Sequence, residues 1–190
     1  MVKDAITLIT QDHRRMEQLF DQLQSVPEQR PYLLDEIEAI LTAHSRAEEE
    51  EVYPATAEAA HDEAQIRHST EEHHEAEQLL ARLKDCDPNS EEFDDRCREF
   101  VDAVKHHVDE EESEVLPALR RAVGEERVKE LGIAFSERRE QELQRFNMLA
   151  PGAIPKQRDL LEEAERLGIG DRADMNADEL AEAVQRAKRG

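Results

Sequence analysis

The stretch His107-Val108-Asp109-Glu110-Glu111 decides the fold, together with its counterpart His44-Ser45-Arg46-Ala47-Glu48. Each stretch places a glutamate four residues after a histidine, a spacing that brings both side chains to one face of an α-helix. The similarity continues, since each histidine is followed by valine at +8, proline at +10 and alanine at +11. The sequence therefore contains a duplicated helical unit, and the duplicated residues are potential metal ligands.

His13 and His73 form a second matched pair. Each is followed by a large apolar residue at +7 and by leucine at +10, and each has a glutamate at +4, Glu17 and Glu77 respectively. The two pairs together predict a doubled helical hairpin. In each half, the first helix contributes one histidine and the second helix contributes a histidine–glutamate pair.

The composition favours an all-α protein in the cytoplasm. Aromatic residues make up only 4% of the 190 residues and charged residues 38%, which favours helices over sheets. The net charge of −22 argues against non-specific binding to nucleic acid or to anionic membranes. Two cysteines, Cys86 and Cys97, do not make a disulfide framework and fit a reduced compartment. The sequence shows neither a signal peptide nor an apolar run of about 20 residues that would span a membrane.

Apolar residues recur at alternating spacings of three and four along four segments, the pattern of a helix that buries one face. Prolines lie between the first and second and between the third and fourth segments, and Gly124 follows the last. The predicted helices are residues 4–25, 32–58, 62–85 and 90–123. Four helices of similar length with short connections favour an antiparallel up-down four-helix bundle, so the expected fold class is all-α.

The apolar face of each predicted helix contains a histidine, and on the second and fourth helices the next inward position is a glutamate. The resulting inward set is His13, His44, Glu48, His73, His107 and Glu111. Helical periodicity places His74, the neighbour of His73, and His106, the neighbour of His107, on the solvent-exposed face. Glu49 and Glu50 also fall outside the apolar face and are expected in solvent.

Six polar side chains in one core require compensation, because burying a carboxylate without a partner costs several kcal/mol. Hydrogen bonds between protonated histidines and glutamates would supply part of it. Metal cations would supply it more completely, since imidazole and carboxylate suit iron, zinc or manganese. Six ligands are too many for one four-coordinate zinc ion and suit two ions bridged by carboxylates, here Glu48 and Glu111. The expected histidine pairs are His13 with His44 and His73 with His107.

This pattern resembles the hemerythrin-like, or HHE cation-binding, family. That family has a histidine on helix one, His-x-x-x-Glu on helix two, a histidine on helix three and His-x-x-x-Glu on helix four. The matching residues are the inward set named above, and the resemblance covers residues 4–123. It implies a non-haem di-iron centre, with two Fe ions and an oxo or hydroxo bridge beside the two carboxylates. It implies no catalytic residues separate from the metal ligands.

Position 77 departs from the family pattern. Oxygen-carrying hemerythrins have a second histidine four residues after the histidine of helix three, where this chain has Glu77. Two alternatives follow: Glu77 ligates in place of the imidazole, or it is a solvated helix residue and one iron is more open. Either alternative favours redox reaction with oxygen, peroxide or nitric oxide over reversible oxygen carriage. Glu17, at the same spacing from His13, has no ligand role in the family and is expected either at the helix surface or in contact with a ligand residue.

The resemblance implies a protein that binds or reduces a small oxidant (O2, peroxide or NO) in oxidative or nitrosative stress or in iron homeostasis. Its leading enzymatic form is a catalase-like, peroxide-decomposing activity. The alternative is a non-enzymatic iron or oxygen sensor or storage protein that signals to a protein partner through its C-terminal module.

The C-terminal third predicts further helices. Residues 124–147 have the apolar pattern of another helix, which would pack on the bundle or support dimerisation. Pro151, Gly152 and Pro155 indicate a linker. The predicted domains are the bundle at 1–123, the extra helix and linker at 124–150, and a small helix–loop–helix module at 151–190.

The last segment resembles the short N-terminal, SAP-like module of the Rho termination factor. The matching residues are Leu160–Ala164, Leu167-Gly168-Ile169, Met175 and Asp178-Glu179-Leu180. That family implies nucleic-acid binding. However, residues 156–190 hold seven basic and nine acidic residues, and this balance favours a protein-interaction or packing role.

Overall fold

The computed structural model describes residues 3–60, 63–149, 163–170, 180, 183–184 and 186–188. Over these residues the chain is helical and contains no strand, which confirms the all-α prediction. The helices are α1 (Ala5–Ser25), α2 (Arg30–Ala47), α3 (Tyr53–Ala60), α4 (Glu63–Lys84), α5 (Glu91–Glu110) and α6 (Leu116–Leu149). None of the helices in this part of the chain is long and apolar enough to cross a membrane.

Four of these helices form the predicted antiparallel bundle. α1 packs on α2, α2 on α4, α4 on α5, and α5 back on α1, so the four close into a ring. Side-chain caps fix where two of them begin, because Asp4 accepts a hydrogen bond from the Thr7 N–H and Ser90 accepts one from the Phe93 N–H. The chain divides into two compact units, Met1–Phe146 and Asn147–Gly190, and the bundle lies in the first.

Two π-helical turns interrupt the predicted second and fourth helices. They span Glu48–Val52 and Glu111–Val115, and in each the first residue accepts a hydrogen bond from the N–H five residues later. Each turn lies just before a proline, Pro54 or Pro117, whose ring would collide with the carbonyl four residues earlier in a regular α-helix. The wider turn relieves that collision. The duplicated prolines therefore explain why both His-x-x-x-Glu pairs end at a π-helical turn, a feature often found at functional sites.

The apolar core of the first unit forms two clusters. The larger joins α1, α2, α4 and α5 and includes Phe20, Phe93 and Phe100. The second joins the start of α1 to the end of α2 and to α6, where Val128, Leu131 and Phe135 are buried. The helix predicted at 124–147 is therefore part of α6 and packs on the bundle, with Gly124 breaking the helix at φ 76°.

The two apolar clusters leave a polar level between them. On α1, His13 lies between Ile9 of the second cluster and Met16 of the first, and on α2 His44 lies between the same two clusters. The candidate site therefore occupies the middle of the unit, with apolar side chains above and below it.

The second unit is described only in part. A helical turn ends at Gly168, where the Gly168 N–H donates to the Glu165 carbonyl at 3.0 Å and the Ile169 N–H donates to the Ala164 carbonyl at 2.9 Å, a Schellman ending. Its buried residues are Ala164, Leu180, Ala183 and Val184. The predicted linker and the matches at 160–162, Met175, Asp178 and Glu179 lie outside the described residues.

Candidate metal centre

All six side chains of the inward set lie together in the bundle interior. α1 supplies His13, α2 supplies His44, α4 supplies His73 and α5 supplies His107, while the two glutamates begin the two π-helical turns. None of the six residues is more than 6% exposed. Four histidines and two carboxylates from four helices therefore share one dry region of the core.

The first group of ligand atoms comes from His13, His44, Glu48 and Glu111, all within 4.8 Å of one another. His13 Nε2 lies 3.2 Å from Glu111 Oε2, and His44 Nε2 lies 3.1 Å from Glu48 Oε2. Ligands about 2.1 Å from a common ion lie about 3.0–3.4 Å from each other. These spacings match that range, and we name this group the first position.

The second group comes from Glu48, His73 and His107, again within 4.8 Å of one another. His73 Nε2 lies 3.4 Å from Glu48 Oε2 and 3.0 Å from His107 Nε2. We name this group the second position. The structure thus groups the histidines as the sequence analysis paired them, and Glu48 belongs to both groups.

Each of the four histidines also faces an outer carboxylate with its Nδ1 atom. The pairs are His13–Glu112 at 2.8 Å, His44–Asp12 at 3.5 Å, His73–Glu49 at 3.1 Å and His107–Glu72 at 3.0 Å. An ionised carboxylate only accepts hydrogen bonds, so Nδ1 carries the proton and Nε2 can offer its lone pair to the interior. Outer carboxylates of this kind orient histidine ligands in metal sites.

Several buried ligand atoms have no hydrogen-bond partner. They are His13 Nε2, His44 Nε2, Glu48 Oε1 and Glu111 Oε2, while the outward-facing His44 Nδ1 has only the long 3.5 Å contact to Asp12. Unsatisfied buried polar atoms are rare in native proteins and costly. A cation at each position would satisfy both nitrogen and oxygen atoms, so the residues present fit metal binding.

Without metal, the electrostatics favour protonated histidines. Burial acts to lower the pKa of His44, but Glu48 and Asp12 outweigh it and raise that pKa to about 10. Burial is likewise outweighed at His73, whose pKa Glu48 and Glu49 raise to about 9. Burial acts to raise the pKa of Glu48, but His44 and His73 hold it well below its usual range. Metal must therefore displace protons from these histidines.

Tyr53, which the sequence pattern did not indicate as a site residue, is buried beside the second position. Its Oη lies 3.2 Å from Glu111 Oε1 and 3.4 Å from both Glu48 Oε2 and His73 Nε2. Burial and the two glutamates raise the pKa of Tyr53 well above 10, so the phenol stays neutral and donates. The duplication held a signal, since position +9 is tyrosine in the first repeat and leucine, Leu116, in the second.

The structure does not bring Glu77 to the cluster. Its carboxylate lies 3.8 Å from the Arg46 guanidinium and 3.7 Å from His74 Nδ1, and it joins neither ligand group of the described residues. This placement agrees with the alternative in which the second position is more open. Glu17 pairs with Arg14 at the surface, as expected.

The solvent assignment of Glu49 was wrong, whereas that of Glu50 was right. Glu49 turns toward His73, because the π-helical turn that starts at Glu48 alters the helical register on which the assignment rested. Glu50 is half exposed and pairs with Arg138 of α6.

α6 supports the first position from outside the ligand set. The Phe135 ring lies 6.1 Å from the His44 ring, and Arg139 Nε donates to Asp12 Oδ2 at 2.7 Å. Burial acts to raise the pKa of Asp12, but Arg139 and His44 lower it, so Asp12 remains an anion facing His44. The extra helix therefore helps to orient one ligand.

Comparison with known proteins agrees with this site. The family model of the hemerythrin HHE cation binding domain matches residues 4–119. Over 148 residues the chain is 32% identical to a protein named DNA nickase from a Nostoc species, covering 77% of this chain and 42% of that protein. The chain thus spans about two fifths of the length of this curated relative.

A solved structure shares the fold. It is the crystal structure of a hemerythrin HHE cation binding domain-containing protein from Mycobacterium kansasii, with a TM-score of 0.68 and 22% identity. The match covers 97% of this chain and 99% of that one. With the family match across most of the bundle and the ligand set in its interior, the chain belongs to the hemerythrin HHE cation-binding domain family.

Proposed function

We propose that this domain holds two iron ions and that the centre reduces a small oxidant, with hydrogen peroxide as the leading substrate. The observation that carries the proposal is the position of Glu48. Its Oε2 atom lies 3.1 Å from His44 Nε2 and 3.4 Å from His73 Nε2, so one carboxylate faces both ligand groups. A shared carboxylate between two nitrogen-rich positions is the arrangement that a pair of cations requires.

The donor set favours iron over zinc. Zinc is satisfied by four ligands, whereas the joined positions offer four imidazoles and two carboxylates with Tyr53 beside them. Mixed imidazole and carboxylate ligands suit iron. When bound, iron would supply the one-electron redox steps that zinc does not.

The surrounding residues favour reaction with a small molecule at the second position. Only three ligand residues define that position, and Glu77 does not complete it. Tyr53 holds a proton at Oη, which lies 3.4 Å from His73 Nε2. A substrate oxygen that reacts at the second position would need a proton from a group at this place. Because His73 and His107 are buried, the site favours a substrate of a few atoms.

Decomposition of peroxide balances without another reactant. One peroxide is oxidised to O2 and releases two electrons and two protons. A second peroxide takes up both and becomes two water molecules. His13, His44, His73 and His107 with Glu48 and Glu111 would hold the iron, and Tyr53 Oη would hold or pass one of the protons between the two half-reactions.

Oxygen evolution tests this proposal. The protein is loaded with Fe(II) under anaerobic conditions, its iron content is measured, and O2 is recorded after peroxide is added. We expect O2 from the wild type and from Glu77→Gln, whose glutamate also follows a histidine by four residues but lies outside the cluster. We expect none from Glu48→Gln. A wild type that holds two irons and evolves no O2 contradicts the peroxide proposal and favours the sensor or storage alternative.

DNA nicking, the activity in the name of the Nostoc relative, is disfavoured for this chain. The net charge of −22 opposes approach to a phosphodiester backbone, and the ligand residues are buried. Supercoiled plasmid incubated with the metal-loaded protein should stay supercoiled. If the wild type relaxes the plasmid and Glu48→Gln does not, nicking at this site would be established instead.

A further inference from the structure

Two further His-x-x-x-Glu pairs lie side by side on the outer faces of α4 and α5. His68 and Glu72 form the pair on α4, and His106 and Glu110 form the pair on α5. His68 Nε2 lies 3.4 Å from Glu110 Oε2 and 3.6 Å from Glu72 Oε1. His106 Nε2 lies 3.2 Å from the other oxygen of Glu110. We name these four residues the surface cluster.

The surface cluster has the chemistry of a transition-metal site. His68, Glu72 and Glu110 each offer a ligand atom within 4.8 Å of the others, and His106 shares the Glu110 carboxylate. One imidazole and two carboxylates make a mixed donor set suited to zinc, iron(II) or manganese rather than to calcium, and the His106 imidazole lies beside it on the other oxygen of Glu110. The two helices fix the spacing, because each contributes residues one turn apart.

Glu72 connects the surface cluster to the buried centre. Its Oε1 faces His68, while its Oε2 lies 3.0 Å from Nδ1 of His107, a residue of the second position. Side-chain exposure falls from 50% at His68 and 33% at Glu110 to 12% at Glu72 and 7% at His107. One carboxylate thus joins a solvent-accessible ligand set to the most exposed of the buried histidines.

We propose that the surface cluster binds a divalent transition-metal cation and passes it through Glu72 to the buried centre. Binding at the surface does not depend on the proposed function, whereas the transfer step rests on the buried centre taking up metal. The surrounding acidic helices would raise the local cation concentration, and the two histidines would select transition metals from other divalent ions.

The first test counts cations with Co(II) as the probe. In Glu48→Gln, which weakens the buried centre, we expect one Co(II) bound at the surface, with paramagnetic NMR shifts at the His68 and His106 rings. Adding His68→Ala to that variant should remove this cation. Adding His74→Ala, an equally exposed histidine on α4 that lies near Glu77, should not. Equal Co(II) content in the two double variants, with an unshifted His106 ring in both, would overturn the surface site, whatever the peroxide assay shows.

The second test measures the rate of loading. Stopped-flow uptake of Co(II) into the otherwise wild-type centre should slow about tenfold in His68→Ala and in Glu72→Gln, because the local concentration of cation is lost. The final metal content of the buried centre should not change in His68→Ala, which leaves every outer carboxylate in place, and His74→Ala should load at the wild-type rate. Equal rates in all variants would overturn the transfer step. His68→Ala changes an exposed side chain, so its fold is expected to remain intact.

Discussion

The two cation positions differ in their surroundings although the duplicated sequence gives them similar ligands. The first position has four ligand residues, is enclosed by Phe135 of α6, and has an outer carboxylate, Asp12, held by Arg139. The second position has three, lies beside Tyr53, and includes His107, which connects through an outer carboxylate to the surface. Under the proposed function, the first position would hold its cation firmly, and the second would exchange metal and meet the oxidant.

Removing the carboxylate that the two positions share should have the largest effect. Glu48→Ala should lose both iron ions and with them the stabilisation that metal binding gives the folded state. At a metal concentration about 1,000-fold above Kd that stabilisation is about 4 kcal/mol for each ion. Iron content and thermal unfolding with and without iron measure it, with Glu77→Ala as the control. An iron-dependent rise in Tm that survives in Glu48→Ala would contradict the shared role.

Removing one ligand residue from the second position should show that the two positions bind iron separately. His107→Ala leaves all four ligand residues of the first position, so we expect about one iron per chain and no O2 evolution from peroxide. His44→Ala, by contrast, weakens the first position and should loosen both, because Glu48 loses its partner there. If His107→Ala keeps two irons and full activity, the second position is not the reactive one.

Tyr53→Phe removes a proton without removing a ligand residue of either group. We expect the variant to retain two irons, while its rate with peroxide falls about 100-fold, in the range of general acid–base effects. The measurement is the rate of O2 evolution per iron. An unchanged rate would remove Tyr53 from the reaction, and loss of iron would make it part of the binding site.

The bundle and the inward position of the six side chains could be predicted from the sequence, because both follow from periodicity. Four histidines share helix faces with apolar residues, namely His13, His44, His73 and His107. Because the pitch of an α-helix is fixed, their side chains must point to the interior of the bundle. The π-helical turns could not be derived from periodicity alone, since it assumes an unbroken helix. The two prolines indicate where each helix is disturbed, but not that the disturbance is a π-helical turn. Tyr53 was missed for the same reason, as its direction depends on the turn before it. Contacts of α6 with the site depend on tertiary packing, which no local pattern records.

The metal-free protein should lose stability as pH rises above 6.5, whereas the metal-loaded protein should change little. In the metal-free protein, His44 and His73 have pKa values of about 10 and about 9, against 6.5 for free histidine. Their contribution to stability is therefore full below pH 6.5 and is lost as pH rises toward 9–10, by at most about 1.4 kcal/mol per pH unit for each proton. Metal binding displaces the same protons, so stabilisation by metal should grow over that range. Urea unfolding of both forms at pH 6.5 and 8.5 measures the difference; parallel responses would contradict it.

The smallest expected effect comes from the outer support of the first position. Arg139→Gln removes the cation that holds Asp12 against His44, so metal affinity at the first position should fall about tenfold. Arg138→Gln is the matched control, because Arg138 pairs with Glu50 and Glu142 rather than with Asp12. Competition with a chelator of known affinity gives both values. Equal metal affinities in the two variants would show that α6 covers the site without affecting its affinity for metal.

Anomalous diffraction at the iron edge tests the central claim most directly. In crystals of the iron-loaded protein we expect two peaks in the bundle interior, about 3.5–4 Å apart, with Glu48 between them. One peak should lie against His13 and His44 and the other against His73 and His107. A single peak, or none, in protein whose histidines keep the positions described above would contradict a two-cation centre.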